Sequence, residues 1–247
     1  MALLDDLLAS LRSDAPVRAV LVGAHWTVVC SRRCGLASTV VDDRPHARVQ
    51  VRDAGRLHRK SARELAEYAR SDRLLEASIG VAAVNSLMEI DERAAVEINA
   101  AEIIGQYGAG RCVALVGRFP FIPKLREAAA RLWVIDLHPG EGEHPASAAA
   151  DLIPRADVVA LTGSSLITHT LDRLLSLCRP GIPVIVLGPS TPLSPVLFDY
   201  GATILSGARV IDEDAVLRTV GQGAAFQQVE GVRLLSVSKN NRTSPLS

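Results

Sequence analysis

Cys112-Val-Ala-Leu-Val116, Leu132-Trp-Val-Ile-Asp136, Asp157-Val-Val-Ala-Leu161, Ile182-Pro-Val-Ile-Val-Leu187 and Ala202-Thr-Ile-Leu205 are short apolar runs in the second half of the chain. They lack the apolar–polar alternation of a half-exposed strand and match strands covered on both faces. Helical segments intervene at 122–131, 147–153, 166–178 and 195–200. The third carries Ile167, Leu171, Leu174, Leu175 and Cys178 on one stripe. Strand–helix–strand alternation of this kind predicts a Rossmann-like, doubly wound parallel sheet. A last helix fits 212–220, with acids in its first turn and Gly221 and Gly223 beyond it.

Upstream the pattern changes. Leu3, Leu4, Leu7, Leu8 and Leu11 recur at helical spacing over 1–12, and Pro16 ends that helix. Two β-rich runs, 17–22 and 26–30, flank Gly23-Ala-His25 and predict a hairpin, with a third strand near 36–41. Ser61-Ala-Arg-Glu64 is a capping box that starts a helix running to about 70. A second helix spans 72–87 and is rich in small residues, among them Ala77, Ser78, Gly80, Ala82 and Ala83, which let backbones approach closely. A third spans 93–107. Gly108-Ala-Gly110 marks the boundary, so the chain divides into a small α+β unit, 1–107, and an α/β unit, 108–247. No internal repeat or low-complexity linker interrupts them, and the polar tail 238–247 reads as loose.

Composition narrows the function. Of 247 residues, 48% are apolar and 22% charged, which suits a packed globule. Lys plus Arg equals Asp plus Glu at 27 each, so neither a nucleic-acid binder nor a polybasic membrane anchor is expected. Mean hydropathy is +0.21, yet no apolar run approaches the roughly 20 residues of a membrane span. The N-terminus lacks the basic region of a secretory leader, and four cysteines are too few for a disulfide framework. The expectation is a reduced cytoplasmic protein, and its high apolar content suits a homodimer.

In a parallel sheet, ligands bind beyond the carboxyl ends of the strands, where strand order reverses. The chemistry therefore belongs to Gly117-Arg-Phe-Pro-Phe121, to the loop 136–144, to Thr162-Gly-Ser-Ser165 and to Gly188-Pro-Ser-Thr-Pro-Leu-Ser-Pro195. No dinucleotide fingerprint follows the first strand, because Phe119 and Pro120 stand where glycines must admit a pyrophosphate, and there is no Walker lysine. Asp136 ends the second strand, where nucleotide-binding sheets place a ribose-binding acid; a plain strand-end aspartate is the other reading. Thr162, Gly163 and Ser164, with Gly188, Pro189, Ser190 and Thr191, offer hydroxyls and helix-start amides to an anionic group, or simply cap helices.

Asp136, His138, Glu141, Glu143 and His144 crowd one loop, enough to hold a divalent transition metal through His138 and His144, although a solvated acidic loop has the same composition. Cys30-Ser-Arg-Arg-Cys34 lacks the spacing of common zinc knuckles and reads as packing or free thiols. His169, near a helix start, reads as packing, and His46 and His58 carry no specific signal. No Gly-x-Ser-x-Gly nucleophile elbow is present.

Glu76-Ala-Ser-Ile-Gly-Val-Ala-Ala-Val-Asn85, Gly117-Arg-Phe-Pro-Phe121, Asp157-Val-Val-Ala-Leu-Thr-Gly163 and the long Gly188–Pro195 motif together resemble the putative heavy-metal chelation family of bacteria and archaea. The resemblance covers nearly the whole chain. It implies an enolase-N-terminal-like domain joined to a Rossmann-like domain related to methyltransferases, with the active site in the cleft between them. It also implies a role in metal-chelate or siderophore metabolism, or in the chemistry of pterin- or flavin-like compounds. The sequence departs from the family pattern at Arg118, in place of histidine, at Asp136, in place of glutamate, and at Thr168-His-Thr170, in place of Asn-Gly-Thr.

The expected function is binding, or transformation, of a small anionic or heterocyclic metabolite. The expected ligand set is Gly117, Arg118, Phe119, Pro120, His138, Pro139, Thr162, Gly163, Ser164, Thr168, Gly188, Pro189, Ser190 and Thr191, with Asn85 from the first unit. Glu76 or Asp136 would be the general base. The alternative is a metal-binding or metal-delivery protein.

Overall fold

The computed structural model describes residues 2–41, 51–90 and 92–239. His46 and the tail beyond 239 lie outside them. Helix α1 (Ala2–Ala9) buries Leu3, Leu4, Leu7 and Leu8 on one face. Strands β1 (Ala19–Val22), β2 (Trp26–Cys30) and β3 (Cys34–Ser38) form an antiparallel meander. The β2–β3 turn is therefore tighter than a third strand beginning at 36 implies. Ser61 caps α2 (Ala62–Ala66) through the reciprocal pair with Glu64, and a 3-10 turn carries the chain to Arg70.

Helix α3 (Leu74–Leu87) has no polar face, because it is covered on all sides. Its small residues set the distances. A Cβ added at Gly80 would lie 1.9 Å from the Ala69 amide nitrogen, and one at Gly35 of β3 would lie 2.2 Å from the Ala82 carbonyl oxygen. Helix, meander and 3-10 turn thus meet backbone to backbone.

The large sheet is built from β4 (Ala95–Val96), β5 (Cys112–Val116), β6 (Arg131–Asp136), β7 (His144–Pro145), β8 (Val158–Thr162), β9 (Val184–Leu187), β10 (Ile204–Val210) and β11 (Val232–Ser238). Their spatial order is β4-β11-β10-β9-β8-β5-β6-β7. From β10 to β7 all neighbours are parallel. The edge formed by β11 and β4 is antiparallel, which the expectation of a wholly parallel sheet does not contain.

Both faces of the parallel strands are covered. Val113, Leu115, Val134, Ala160 and Ile185 join one apolar cluster, and the intervening Ala114, Ile135, Val159, Leu161 and Val186 join another. The first face carries Ile103 and Ile104 of α4 (Ala100–Gly108) and Leu125 of α5 (Ile122–Ala128). The second carries α6 (Ala149–Leu152), α7 (Leu171–Ser176), α8 (Val196–Asp199) and the core of the first unit. Helix α9 (Glu213–Gly221) packs Val216 and Val220 on the meander.

Two helices differ from expectation. The segment 93–107 is helical only from Ala100, because β4 pairs with β11 and Asn99 caps the helix that follows. By packing, both β4 and α4 belong to the large sheet rather than to the meander. The segment 166–178 is interrupted: a 3-10 turn ends at Leu166, His169 adopts φ +56°, and α7 begins at Leu171. Among the described residues no helix is long and apolar enough to cross a membrane.

The Gly80 contact makes a prediction. Since the atom a side chain would strike is backbone and cannot rotate away, Gly80→Val should destabilise by at least the upper part of the roughly 1–3 kcal/mol typical of overpacking. The check is the shift in the denaturant midpoint of the full chain.

Candidate functional site

The parallel strands order as β6-β5-β8-β9-β10, so strand order reverses between β5 and β8. Helix α5, after β5, lies on one face and α7, after β8, on the other. The loops diverge there and leave a cleft of about 1130 Å³ at the carboxyl rim.

The cleft floor comes from strand ends. Gly117 leaves β5 with φ +99°, in the left-handed region, and a Cβ there would also stand 2.9 Å from Thr162 Cβ, so glycine is required on both counts. Thr162 and Ser164 share a hydroxyl–hydroxyl hydrogen bond of 2.9 Å. Gly163 backs directly onto Thr191, which a Cβ would approach to 2.4 Å, so the 162–165 and 188–191 loops are packed together. Phe119 stacks on Phe121 at 5.2 Å between centroids. The meander supplies His25, Trp26 and Ser38, and Trp26 meets Phe226 at 5.2 Å. The Trp26 Nε1 is buried and has no hydrogen-bond partner among the described residues.

Of the residues singled out in the sequence, Gly117, Arg118, Phe119, Pro120, Asp136, Thr162, Ser164, Thr168, Gly188, Pro189 and Ser190 line this one cleft. Glu76, Asn85, His138, Pro139, His144, Gly163 and Thr191 do not.

The reasons are specific. Glu76 Oε1 accepts from the Arg52 amide at 2.7 Å, and Oε2 accepts from the Ser71 hydroxyl at 2.6 Å and Arg52 Nε at 3.0 Å. Burial raises its pKa, but the Ser71 bond, the Arg52 amide and the Arg52 charge outweigh this and leave the carboxyl below the usual glutamate range. Glu76 is thus a fixed anion that holds the chain, not a general base. Asn85 donates to the Leu36 carbonyl at 2.8 Å and to the Pro189 carbonyl at 3.4 Å, tying the two halves together. Ser190, which is buried, receives the Ser38 amide at 2.8 Å and donates to the Ser38 hydroxyl at 3.1 Å. His169 Nε2 meets the Ala69 carbonyl at 2.7 Å.

The expected helix-start amides are absent. The Thr162 hydroxyl caps only a short 3-10 turn, α8 begins at Val196, and the Thr191 amide donates to the Gly188 carbonyl within its own loop. Arg118 is held by Glu143, which also accepts the Gly140 amide. That pair engages one of the three acids of the 136–144 loop. Asp136 receives the His138 amide at 3.0 Å. Among the charged residues of the cleft, Arg173 escaped the sequence reading. Arg173 is exposed at the cleft with no charged partner among the described residues, and Trp26 of β2 lines the same cleft. An exposed arginine on a helix carries no signal of its own in a sequence.

Among the described residues, one set of three His, Cys, Asp or Glu side chains brings its ligating atoms together: Cys30, Cys34 and Glu213, all within 4.8 Å of one another. His138 and His144 join no such set, because β7 draws His144 into pairing with Ile135 while Glu143 turns to Arg118.

Two family profiles, both described as putative heavy-metal chelation, match residues 4–88 and residues 99–238. The chain belongs to the putative heavy-metal chelation family. A crystal structure of a member with unknown function from the DUF364 family of Desulfitobacterium hafniense covers 96% of the chain and 98% of its own, with TM-score 0.84 and 26% identity. A second member, from Pyrococcus horikoshii, covers the same shares with TM-score 0.79 and, at 20% identity, shares the fold. An uncharacterized protein of Methanocaldococcus jannaschii is 27% identical over 167 residues, and the chain spans 64% of that relative's length. The heavy-metal chelation fold is therefore this pairing of an antiparallel meander with a mostly parallel sheet.

Two outcomes follow for the anchors. Ser190→Ala should cost about 1–2 kcal/mol by leaving the half-buried Ser38 amide without its partner. Glu76→Gln should cost about 1.5–3 kcal/mol at neutral pH. A lowered pKa contributes stability that is complete above the unfolded value near 4.5 and lost as pH falls through the folded value, so the gap between wild type and Glu76→Gln should close below pH 4.5. Urea unfolding of the three proteins across that range checks both.

Proposed function

We propose that this protein binds a small, flat heterocyclic metabolite with an anionic group in the cleft, in a pathway of metal-chelating compounds. The observation that carries the reading is the composition of the cleft lining: two aromatic pairs and one arginine without a charged partner among the described residues. Phe119 with Phe121 and Trp26 with Phe226 give the cleft two aromatic surfaces suited to the face of a fused ring. The hydroxyls of Thr162 and Ser164 line the same cleft and match ring heteroatoms, which both donate and accept. Arg173 at the rim matches a carboxylate or phosphate, and the guanidinium fork recognises either. Asp136 stands in the same cleft and is the acid positioned to hold a ring N–H or to take a proton.

The test uses pterin-6-carboxylate and flavin mononucleotide as probes, read by thermal unfolding. At a hundredfold its Kd a ligand adds about 2.7 kcal/mol. That is a rise of roughly 2–4 °C per kcal/mol for a chain of this size. Phe119→Ala should abolish the rise, and Arg173→Gln should remove most of it while leaving the unliganded midpoint unchanged. No rise with either probe, or equal rises in wild type and both variants, overturns the reading.

A further inference from the structure

We propose that Cys30, Cys34 and Glu213 form a binding site for one thiophilic divalent cation of the zinc–cadmium class, separate from the cleft. The site is assembled by register. Cys30 ends β2, Cys34 begins β3, and the hairpin pairs them directly across the strands. Residues directly opposite one another in an antiparallel pair project to the same face. That face meets α9, whose first residue is Glu213. Three ligands therefore converge from two distant parts of the chain, which a three-residue spacing between the cysteines does not disclose.

The geometry suits a metal after a small contraction. The ligating atoms lie within 4.8 Å of one another. Tetrahedral coordination at the usual Zn–S length of about 2.3 Å needs ligand separations of roughly 3.8 Å, within reach of side-chain rotation. The surroundings suit it as well. Both cysteines are buried among Val28, Leu36, Val216 and Val220, whereas the Glu213 side chain is 33% exposed. One side of the site thus opens to solvent, the route for the ion and the place for a water as fourth ligand.

The ligand chemistry selects the ion. Two thiolates favour soft d10 cations, and a single carboxylate completes a set that magnesium or calcium would find poor in oxygen. Arg18 bonds Oε2 of Glu213 and the Ser31 carbonyl of the hairpin turn, so it fixes the carboxylate over the cysteines and leaves Oε1 for the cation. The acid thus lies against two buried thiols as well as against Arg18.

The experiment titrates the reduced full-length chain with cadmium and follows the ultraviolet thiolate-to-cadmium charge-transfer band. The expected result is saturation at one cadmium per chain. Cys30→Ser should abolish the band, and Glu213→Gln should weaken binding about ten- to hundredfold. Replacing Cys112 and Cys178 with serine should change nothing. Cadmium-113 NMR of the wild type, which needs no variant to fold, should give one resonance in the mixed sulfur–oxygen range. A resonance in the all-oxygen range, a band retained in a Cys30→Ser/Cys34→Ser variant, or no band with reduced wild type overturns the proposal. None of the three residues lines the cleft, so binding of the heterocyclic probes should survive in these variants, and the two readings fail separately.

Discussion

The reversal of strand order between β5 and β8 is the constraint from which the rest follows. Crossovers between parallel strands are right-handed, so a chain that winds outward in both directions from a central pair must send its helices to opposite faces. Here α5 goes to one side and α7 to the other. Neither can cover the rim between them, and the first unit does so instead. Its meander is held there by the Ser38–Ser190 pair, the Asn85 bond to Pro189 and the His169 contact with Ala69. These polar ties sit beside the opening, so the width of the cleft is set by fixed bonds between the halves.

Much of this was legible in the sequence because each element answered to a local rule. The five apolar runs became β5, β6, β8, β9 and β10 since both faces of the sheet are covered and no polar alternation was needed. Ser61 and Glu64 cap α2 as their spacing requires. The rest depended on partners remote in sequence. Nothing local marks Ala95–Val96 as a strand, because its identity comes from pairing with Val237 and Ser236 of β11. Gly163 and Ser164 sit side by side in one motif, yet one packs on Thr191 and the other lines the cleft.

The acids make the same point more sharply. Glu76 and Asp136 both looked like general bases, and only their neighbours tell them apart. Two arginines and a serine surround Glu76, whereas Asp136 accepts one backbone amide and stays at the cleft. Conversely, Glu213 at a helix start and the two cysteines of a hairpin looked unremarkable apart and acquire meaning only through the packing of α9 on the meander. Which side chains come together in this fold is set by tertiary neighbours, and motif spacing alone does not report it.

The outermost strands of the large sheet, β4 and β7, are each two residues long. A sheet recruits foreign strands through unsatisfied amides and carbonyls along its border, and fibril growth and domain exchange begin at such borders. The two short strands cover little of their neighbours: β4 pairs with only Ser236 and Val237 of β11, and β7 with only Ile135 and Asp136 of β6, so the outer edges at 232–235 and 131–134 have no strand partner among the described residues. Those stretches carry the exposed Arg131 and Arg233, charges of the kind that discourage a foreign strand from adding to a border.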